Sequence, residues 1–97
     1  MRIISRRTLR EFWNLNPDSE NALKAWYQEA ARADWASPHE VKAMYRSASV
    51  IGDGRIVFNI AGNKYRLIVR FNFPFGIGYI RFVGTHAQYD GIDAENI

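Results

Sequence analysis

The spacing of hydrophobic residues changes near residue 50, from a helical pattern to an alternating one. Before that point, apolar residues recur at intervals of three and four: Leu9, Phe12 and Trp13, then Leu23, Trp26, Tyr27 and Ala30. Such spacing places the members of each group on one face of a helix. The pattern predicts a first helix capped by Ser5 and a second that starts at Asn16–Ser19 and runs to about Asp34. A short helical turn is expected at residues 40–45.

The second half of the chain predicts strands. Ile56, Phe58 and Ile60 alternate with other residues, and a longer alternation runs from Tyr65 to Phe73. Gly and Asn between these runs indicate a tight turn at residues 61–64, and residues 74–76 a second turn. A further strand is expected at residues 78–83, followed by a polar exit at residues 87–93. Ile3 and Ile4 predict a short opening strand or a hydrophobic staple.

Helices followed by a meander of strands predict an α+β fold with one domain over residues 1–97. Strands joined by short turns pair antiparallel, so we expect N-terminal helices packed on one face of a small antiparallel sheet. The other face is then expected to be free. Arg66 and Arg70 lie on the polar side of their strand, about 13 Å apart at about 3.3 Å per residue, and Arg81 belongs to the next strand along the chain.

Composition excludes several classes of function. Hydrophobic residues make up 47% of the 97 residues and charged residues 24%, values typical of a globular chain. The absence of cysteine excludes a disulfide scaffold and thiol catalysis, and it favours a reducing, cytoplasmic location. Two distant histidines and scattered carboxylates match no metal-ligand spacing, so no metal or cofactor is expected. No apolar run is long enough for a membrane span.

The distribution of charge says more than the net charge of +3. Residues 39–86 carry seven basic and two acidic side chains, whereas residues 87–97 carry three acidic and no basic ones. Ten of the thirteen basic residues are arginine, which binds phosphate through two parallel hydrogen bonds. Nucleic acid is therefore a candidate partner. The simpler interpretation is a solvated basic surface, and we expect the acidic tail to be solvated too.

One histidine stands where proton transfer could occur. His86 follows Gly84-Thr85 at the end of the last predicted strand, with Tyr89 and Asp90 close behind it. Imidazole titrates near neutral pH, and a carboxylate can hold one of its tautomers. A packing or capping role for His86 explains the same sequence. Tryptophans in the helical half are assigned to the core rather than to base stacking.

Two segments resemble the HigB toxin family, a branch of the RelE-like toxins of bacterial type II toxin–antitoxin systems. They are VFNIAGNKYRLIV at residues 57–69 and YIRFVGTHAQYD at residues 79–90. The opening residues 2–5 and the segment around Lys42 fit the same pattern. The resemblance implies the RelE/ParE-like microbial RNase architecture. It also implies an endoribonuclease, an mRNA interferase, that cuts messenger RNA while it is translated on the ribosome.

The resemblance also implies roles for individual residues. Arg66 matches a basic residue that contacts the scissile phosphate, and His86 matches an Arg or His near the cleavage site. Tyr89 lies near a C-terminal tyrosine of some relatives, although its spacing from the strand differs. The implied RNA-binding residues are Lys42, Lys64, Arg70 and Arg81. The implied partner is a helix-turn-helix antitoxin of the HigA type, which neutralises the toxin and forms an operator-binding complex with it.

Three other functions stay open at this point. ParE toxins share the fold and poison gyrase, and they would not need His86. A non-catalytic RNA- or ribosome-binding module would keep the basic residues without cutting RNA. A protein-interaction domain would use its aromatic surface for the antitoxin alone. A fold does not decide among these functions.

Overall fold

The computed structural model describes residues 1–97 and forms its helices where the apolar spacing predicts them. The helices of the first half are α1 (Arg6–Leu15), α2 (Glu20–Arg32) and α3 (Pro38–Met44). A short 3-10 turn, Pro17–Ser19, occupies the predicted start of the second helix and leads into α2. Ser37 caps α3 by accepting a hydrogen bond from the Glu40 N–H, and Pro38 occupies the first turn, where its missing N–H is tolerated. No helix is long and apolar enough to cross a membrane.

Five strands form one sheet in the order β1-β5-β4-β3-β2. Their bounds are Arg2–Ile4 for β1, Ser49–Gly52 for β2, Arg55–Ile60 for β3, Tyr65–Asn72 for β4 and Ile77–Thr85 for β5. Neighbouring strands from β2 to β5 pair antiparallel, as predicted, and the α+β fold is confirmed. The parallel pairing of β1 with β5 and the short edge strand β2 were not predicted.

The main core lies between the helices and one face of the sheet. The predicted inward side of β4 is confirmed, because its alternate residues from Tyr65 to Phe71 are buried there. Trp26 packs edge-on against Phe58 of β3, with ring centroids 5.3 Å apart. Trp13 and Trp35 are also buried in this cluster, so all three tryptophans serve the core, as expected.

The opposite face of the sheet is not free, and this prediction was wrong. Val57 and Ile68 point to that side and are nevertheless buried. The predicted polar exit is instead a fourth helix, α4 (His86–Asp90), which contacts β4 and β5. The predicted solvated tail is also incorrect in part, because the main-chain oxygen of Ile97 accepts hydrogen bonds from Arg55 of β3. The tail therefore returns to the sheet and is held there by the guanidinium group of Arg55.

Candidate active site

The sheet face opposite α1, α2 and α3 carries the arginine side chains of interest. We call it the arginine face and define it by Arg55, Arg66, Arg70 and Arg81. Arg66 and Arg70 alternate with the core residues of β4, and Arg55 lies opposite Arg70 in the β3–β4 register. Arg81 is the extra residue of a bulge, since Ile80 pairs with Val69 and Phe82 pairs with Ile68. The predicted grouping of basic residues on one sheet face is therefore present in the structure.

Arg66 lies near the start of β4, the central strand, and is half-buried. Its Nη1 donates to the main-chain oxygens of Asn63 at 3.0 Å and Tyr65 at 3.2 Å. No carboxylate forms an ion pair with it. The main-chain bonds hold the guanidinium in place while its charge stays uncompensated. A fixed, unpaired arginine can stabilise negative charge that develops on a phosphate.

His86 is brought to the same end of the sheet. Its main-chain N–H donates to the oxygen of Lys64 at 3.3 Å, and Gly84, two residues earlier, lies opposite Arg66. The imidazole is 52% exposed, and its Nδ1 lies 3.2 Å from Oδ2 of Asp90. In the tautomer that donates Nδ1–H to Asp90, Nε2 is free to accept a proton from a bound substrate.

A capping box positions the helix that carries His86. The Thr85 hydroxyl accepts from the Gln88 N–H at 3.1 Å, and the Gln88 side chain accepts from the Thr85 N–H at 2.9 Å. These bonds satisfy main-chain donors that a helix start leaves unpaired. Because the cap begins directly after β5, the direction of α4 is tied to the end of the strand. This arrangement sets the place of the imidazole.

Tyr89 is half-buried, and its side chain lies against Phe82 of the sheet. Its ring lies 6.4 Å from the Phe82 ring, at an angle of 55°. The Phe82 ring and the Gln88 side chain also pack closely over Gly84. A Cβ atom at this position would come within 2.5 Å of the Phe82 ring and 2.7 Å of the Gln88 side chain, so glycine suits this packing. The Tyr89 hydroxyl makes no protein hydrogen bond, and its catalytic role stays a prediction.

The two predicted lysines are both engaged within the protein. Lys64 forms an ion pair with Asp18, which also accepts a hydrogen bond from the Tyr65 hydroxyl. Hydrogen bonds from Lys64 and Tyr65 lower the pKa of Asp18, and the bond to Asp18 raises the pKa of Lys64. The Nζ of Lys42 donates to the main-chain oxygens of Arg46 and Ala48, and so closes the turn between α3 and β2. RNA binding by either lysine stays a prediction.

Asp53 forms ion pairs with two arginines, Arg55 and Arg70. Arg55 was not among the site residues predicted from the sequence. Oδ2 of Asp53 lies 2.9 Å from Nη1 of Arg55 and 3.1 Å from Nη2 of Arg70. The hydrogen bond from Arg55, which has the largest effect, and the positive charge of Arg70 lower the pKa of Asp53. Arg55 is only 7% exposed. The alternation of β3 already placed it on the face opposite Ile56 and Phe58, so its position on the arginine face could have been predicted.

The sequence profile of one protein family matches residues 19–92. That family is the HigB toxins, described as the RelE-like toxic component of a toxin–antitoxin system. The chain belongs to the HigB toxin family. The resemblance noted in residues 57–69 and 79–90 is thereby confirmed, and both segments lie within the matched range. As the toxic component of such a system, a HigB toxin has an antitoxin as its partner.

Curated relatives agree with this assignment to the HigB toxins. The mRNA interferase toxin HigB of Escherichia coli strain K12 is 29% identical over 92 residues, which cover 93% of this chain and 88% of the relative. The mRNA interferase HigB of Shigella flexneri shows the same identity and coverage. The mRNA interferase HigB of Escherichia coli O6:H1 is 25% identical over 92 residues, covering 93% of this chain and 89% of the relative.

Proposed function

We propose that this HigB toxin, acting as one domain over residues 1–97, is an mRNA interferase that cuts messenger RNA during translation on the ribosome. The observation that carries the proposal is the strand register that brings Arg66 and His86 to one end of the sheet. One residue offers an uncompensated positive charge and the other an exposed proton acceptor. The names of the curated relatives support the same activity.

The proposed reaction is transesterification within the RNA. The ribose 2′-oxygen attacks the adjacent phosphorus, its proton passes to a base, and the bond from phosphorus to the 5′-oxygen breaks as that oxygen receives a proton. The products are a 2′,3′-cyclic phosphate and a 5′-hydroxyl end. His86 takes or supplies one of these protons, with Tyr89 or Asp90 as the second group. Arg66, assisted by Arg70, stabilises the charge on the phosphorane-like transition state.

The partners follow from the same proposal. Lys42, Lys64 and Arg81 contact phosphates of mRNA or ribosomal RNA. For Lys64 this requires exchange of its Asp18 partner for a phosphate. The antitoxin is of the HigA type, with a helix-turn-helix domain, and the neutralised complex binds the operator of its own genes. The toxin acts in the cytoplasm, where translating ribosomes are found.

The test is primer extension on a defined mRNA in a reconstituted translation reaction. The wild-type protein is compared with His86→Ala, Arg66→Ala and His39→Ala. His39 is a matched control, because it is the other histidine, is exposed at the start of α3 and makes no ion pair or side-chain hydrogen bond. We expect cuts with 5′-hydroxyl ends that require ribosomes. We expect rates about 10²- to 10⁴-fold lower for His86→Ala and about 10²- to 10³-fold lower for Arg66→Ala.

Growth of cells that express the same variants, measured beside primer extension, separates the rival functions. Growth arrest without any cut, equally strong with His86→Ala, would support gyrase poisoning and overturn the proposal. Binding to ribosomes without cleavage would support a non-catalytic RNA-binding module. Wild-type cleavage by both His86→Ala and Arg66→Ala would remove these residues from the chemistry.

A further inference from the structure

The chain after α4 returns across the arginine face and ends on two arginines. The main-chain oxygen of Ile97 accepts hydrogen bonds from Nε and Nη2 of Arg55, at 2.9 and 2.7 Å. Nε of Arg81 lies 3.4 Å from the same oxygen. Arg55 belongs to β3 and Arg81 to β5, so the two guanidinium groups meet above the central strand β4. Three N–H groups thus converge on one oxygen.

Arg55 holds its part of this convergence from inside the fold, whereas Arg81 is exposed. Arg55 is 7% exposed, and Asp53 holds its Nη1 at 2.9 Å. That bond leaves the Nε–Nη2 edge directed at the Ile97 oxygen. The Nε–Nη2 edge of arginine is the one that binds a phosphate through two parallel hydrogen bonds. Arg55 is therefore oriented for a phosphate oxygen before any ligand arrives.

One oxygen of Ile97 serves two guanidinium groups. A phosphodiester carries its negative charge on two free oxygens, so each guanidinium group can bind an oxygen of its own. Asp53 compensates part of the positive charge, but it shares its carboxylate with Arg70, and Arg81 forms no ion pair. A phosphodiester at the position of the Ile97 oxygen would offer these donors two acceptors in place of the single oxygen that they share in the free protein.

We propose that Arg55 and Arg81 form a phosphate-binding site for the RNA backbone, and that residues 92–97 occupy this site in the free protein. The proposal rests on the proposed function, since it adds a second contact for the same RNA strand. Arg55 lies opposite Arg70, about 13 Å along β4 from Arg66. A single strand of RNA that places its scissile phosphate at Arg66 runs over this site only after the tail has left it.

The test measures RNA binding without cleavage. A fluorescent 2′-O-methyl RNA oligonucleotide keeps its phosphates but has no 2′-hydroxyl to attack. Its affinity is measured by anisotropy for the full chain and for a chain ending at Gly91. If the tail occupies the site in about nine molecules of ten, its removal tightens binding about tenfold. In the shortened chain, Arg81→Gln lowers the slope of log affinity against log salt by about 0.7, the value for one lost phosphate contact.

Loss of negative charge is controlled separately. Shortening the chain also removes the acidic residues Asp93 and Glu95, and the loss of their negative charges would by itself favour RNA binding. The full-length double variant Asp93→Asn with Glu95→Gln removes these charges and keeps the main chain. We expect its affinity to stay within about twofold of wild type, because these side chains do not occupy the site. A tenfold gain in this variant would overturn the proposal.

A second variant keeps the test decisive if the shortened chain does not fold. Asn96→Pro removes the N–H that donates to the Asp93 oxygen at 3.1 Å and the side-chain bond at 2.7 Å, so it releases the tail at full length. We expect a gain in affinity in the same direction. The proposal is overturned if the shortened chain and Asn96→Pro keep the circular dichroism spectrum of the wild type but bind the RNA no more tightly than the wild type does. Tight binding without ribosomal cleavage would leave this site standing and contradict the proposed function instead.

Discussion

Replacing Thr85 by alanine removes the side-chain cap of α4, the helix that carries His86. The Thr85 hydroxyl accepts a hydrogen bond from the Gln88 N–H at 3.1 Å, and alanine leaves that donor without a protein partner. Loss of a threonine N-cap costs about 1 kcal/mol of helix stability. A helix of five residues is too short to be stable alone, so the cost falls directly on its local equilibrium.

A change of about 1 kcal/mol shifts an equilibrium about fivefold, since 1.4 kcal/mol corresponds to tenfold. We therefore expect the amide of Gly91, which donates to the Gln88 oxygen within α4, to exchange with solvent about fivefold faster in Thr85→Ala, and the amide of Gln88 to lose the protection that the Thr85 hydroxyl gives it. Cleavage of mRNA should fall by up to about the same factor, because His86 is in place for a smaller share of the time. Global stability should change by no more than the cost of the cap.

Thr85→Ser is the matched control, because serine keeps the hydroxyl oxygen that caps the helix. It should restore both the slow exchange and the cleavage rate. The reasoning is refuted if Thr85→Ala shows fast exchange of α4 but cuts mRNA at the wild-type rate. In that case the position of α4 would not govern the chemistry.

Two further predictions concern stability. Leu67→Ala in the centre of β4, where Leu67 is 0% exposed, should lower the free energy of unfolding by about 2–5 kcal/mol, whereas the same change at Leu15, 83% exposed, should cost less than about 0.5 kcal/mol in urea denaturation. The pKa of Asp18 is lowered in the folded state, so its contribution to stability is present above about pH 4 and is lost as the pH falls further. Asp18→Asn should therefore lose less stability than wild type between pH 6 and pH 3. Asp34→Asn is the control, because Asp34 is exposed and forms no ion pair, and it should behave as wild type. Equal losses of stability in the two variants would contradict the role of the ion pair between Lys64 and Asp18.

Local sequence was enough to predict the elements that bury a continuous apolar face. The stripes of α1 and α2 and the alternation of β3 and β4 are each contained in one segment. Strand β2 was missed because its four residues are mostly exposed and are extended only through pairing with β3. Helix α4 was missed because its residues are polar and none is buried, and the cap at Thr85 defines it instead.

The candidate site was predicted in its residue types but not in its contacts. Arg66 and His86 were singled out by their positions on the predicted strands, and the resemblance then implied their roles. The register of β4 with β5 brings both to one end of the sheet. Arg55 was not predicted as a site residue, although the alternation of β3 places it on the arginine face. Its burial and its bond to Ile97 depend on a segment 42 residues away.

The sequence by itself determined the fold class, the inward face of each main strand and membership of the HigB toxins, because periodicity and motifs are properties of neighbouring residues. Only the tertiary structure decided which charges are free. Lys64 is paired with Asp18, 46 residues away, and the two arginines of the proposed phosphate site hold the tail, whereas Arg66 has no acidic partner. Ion pairs and hydrogen bonds depend on distances in space, and folding sets those distances between residues that the chain keeps far apart.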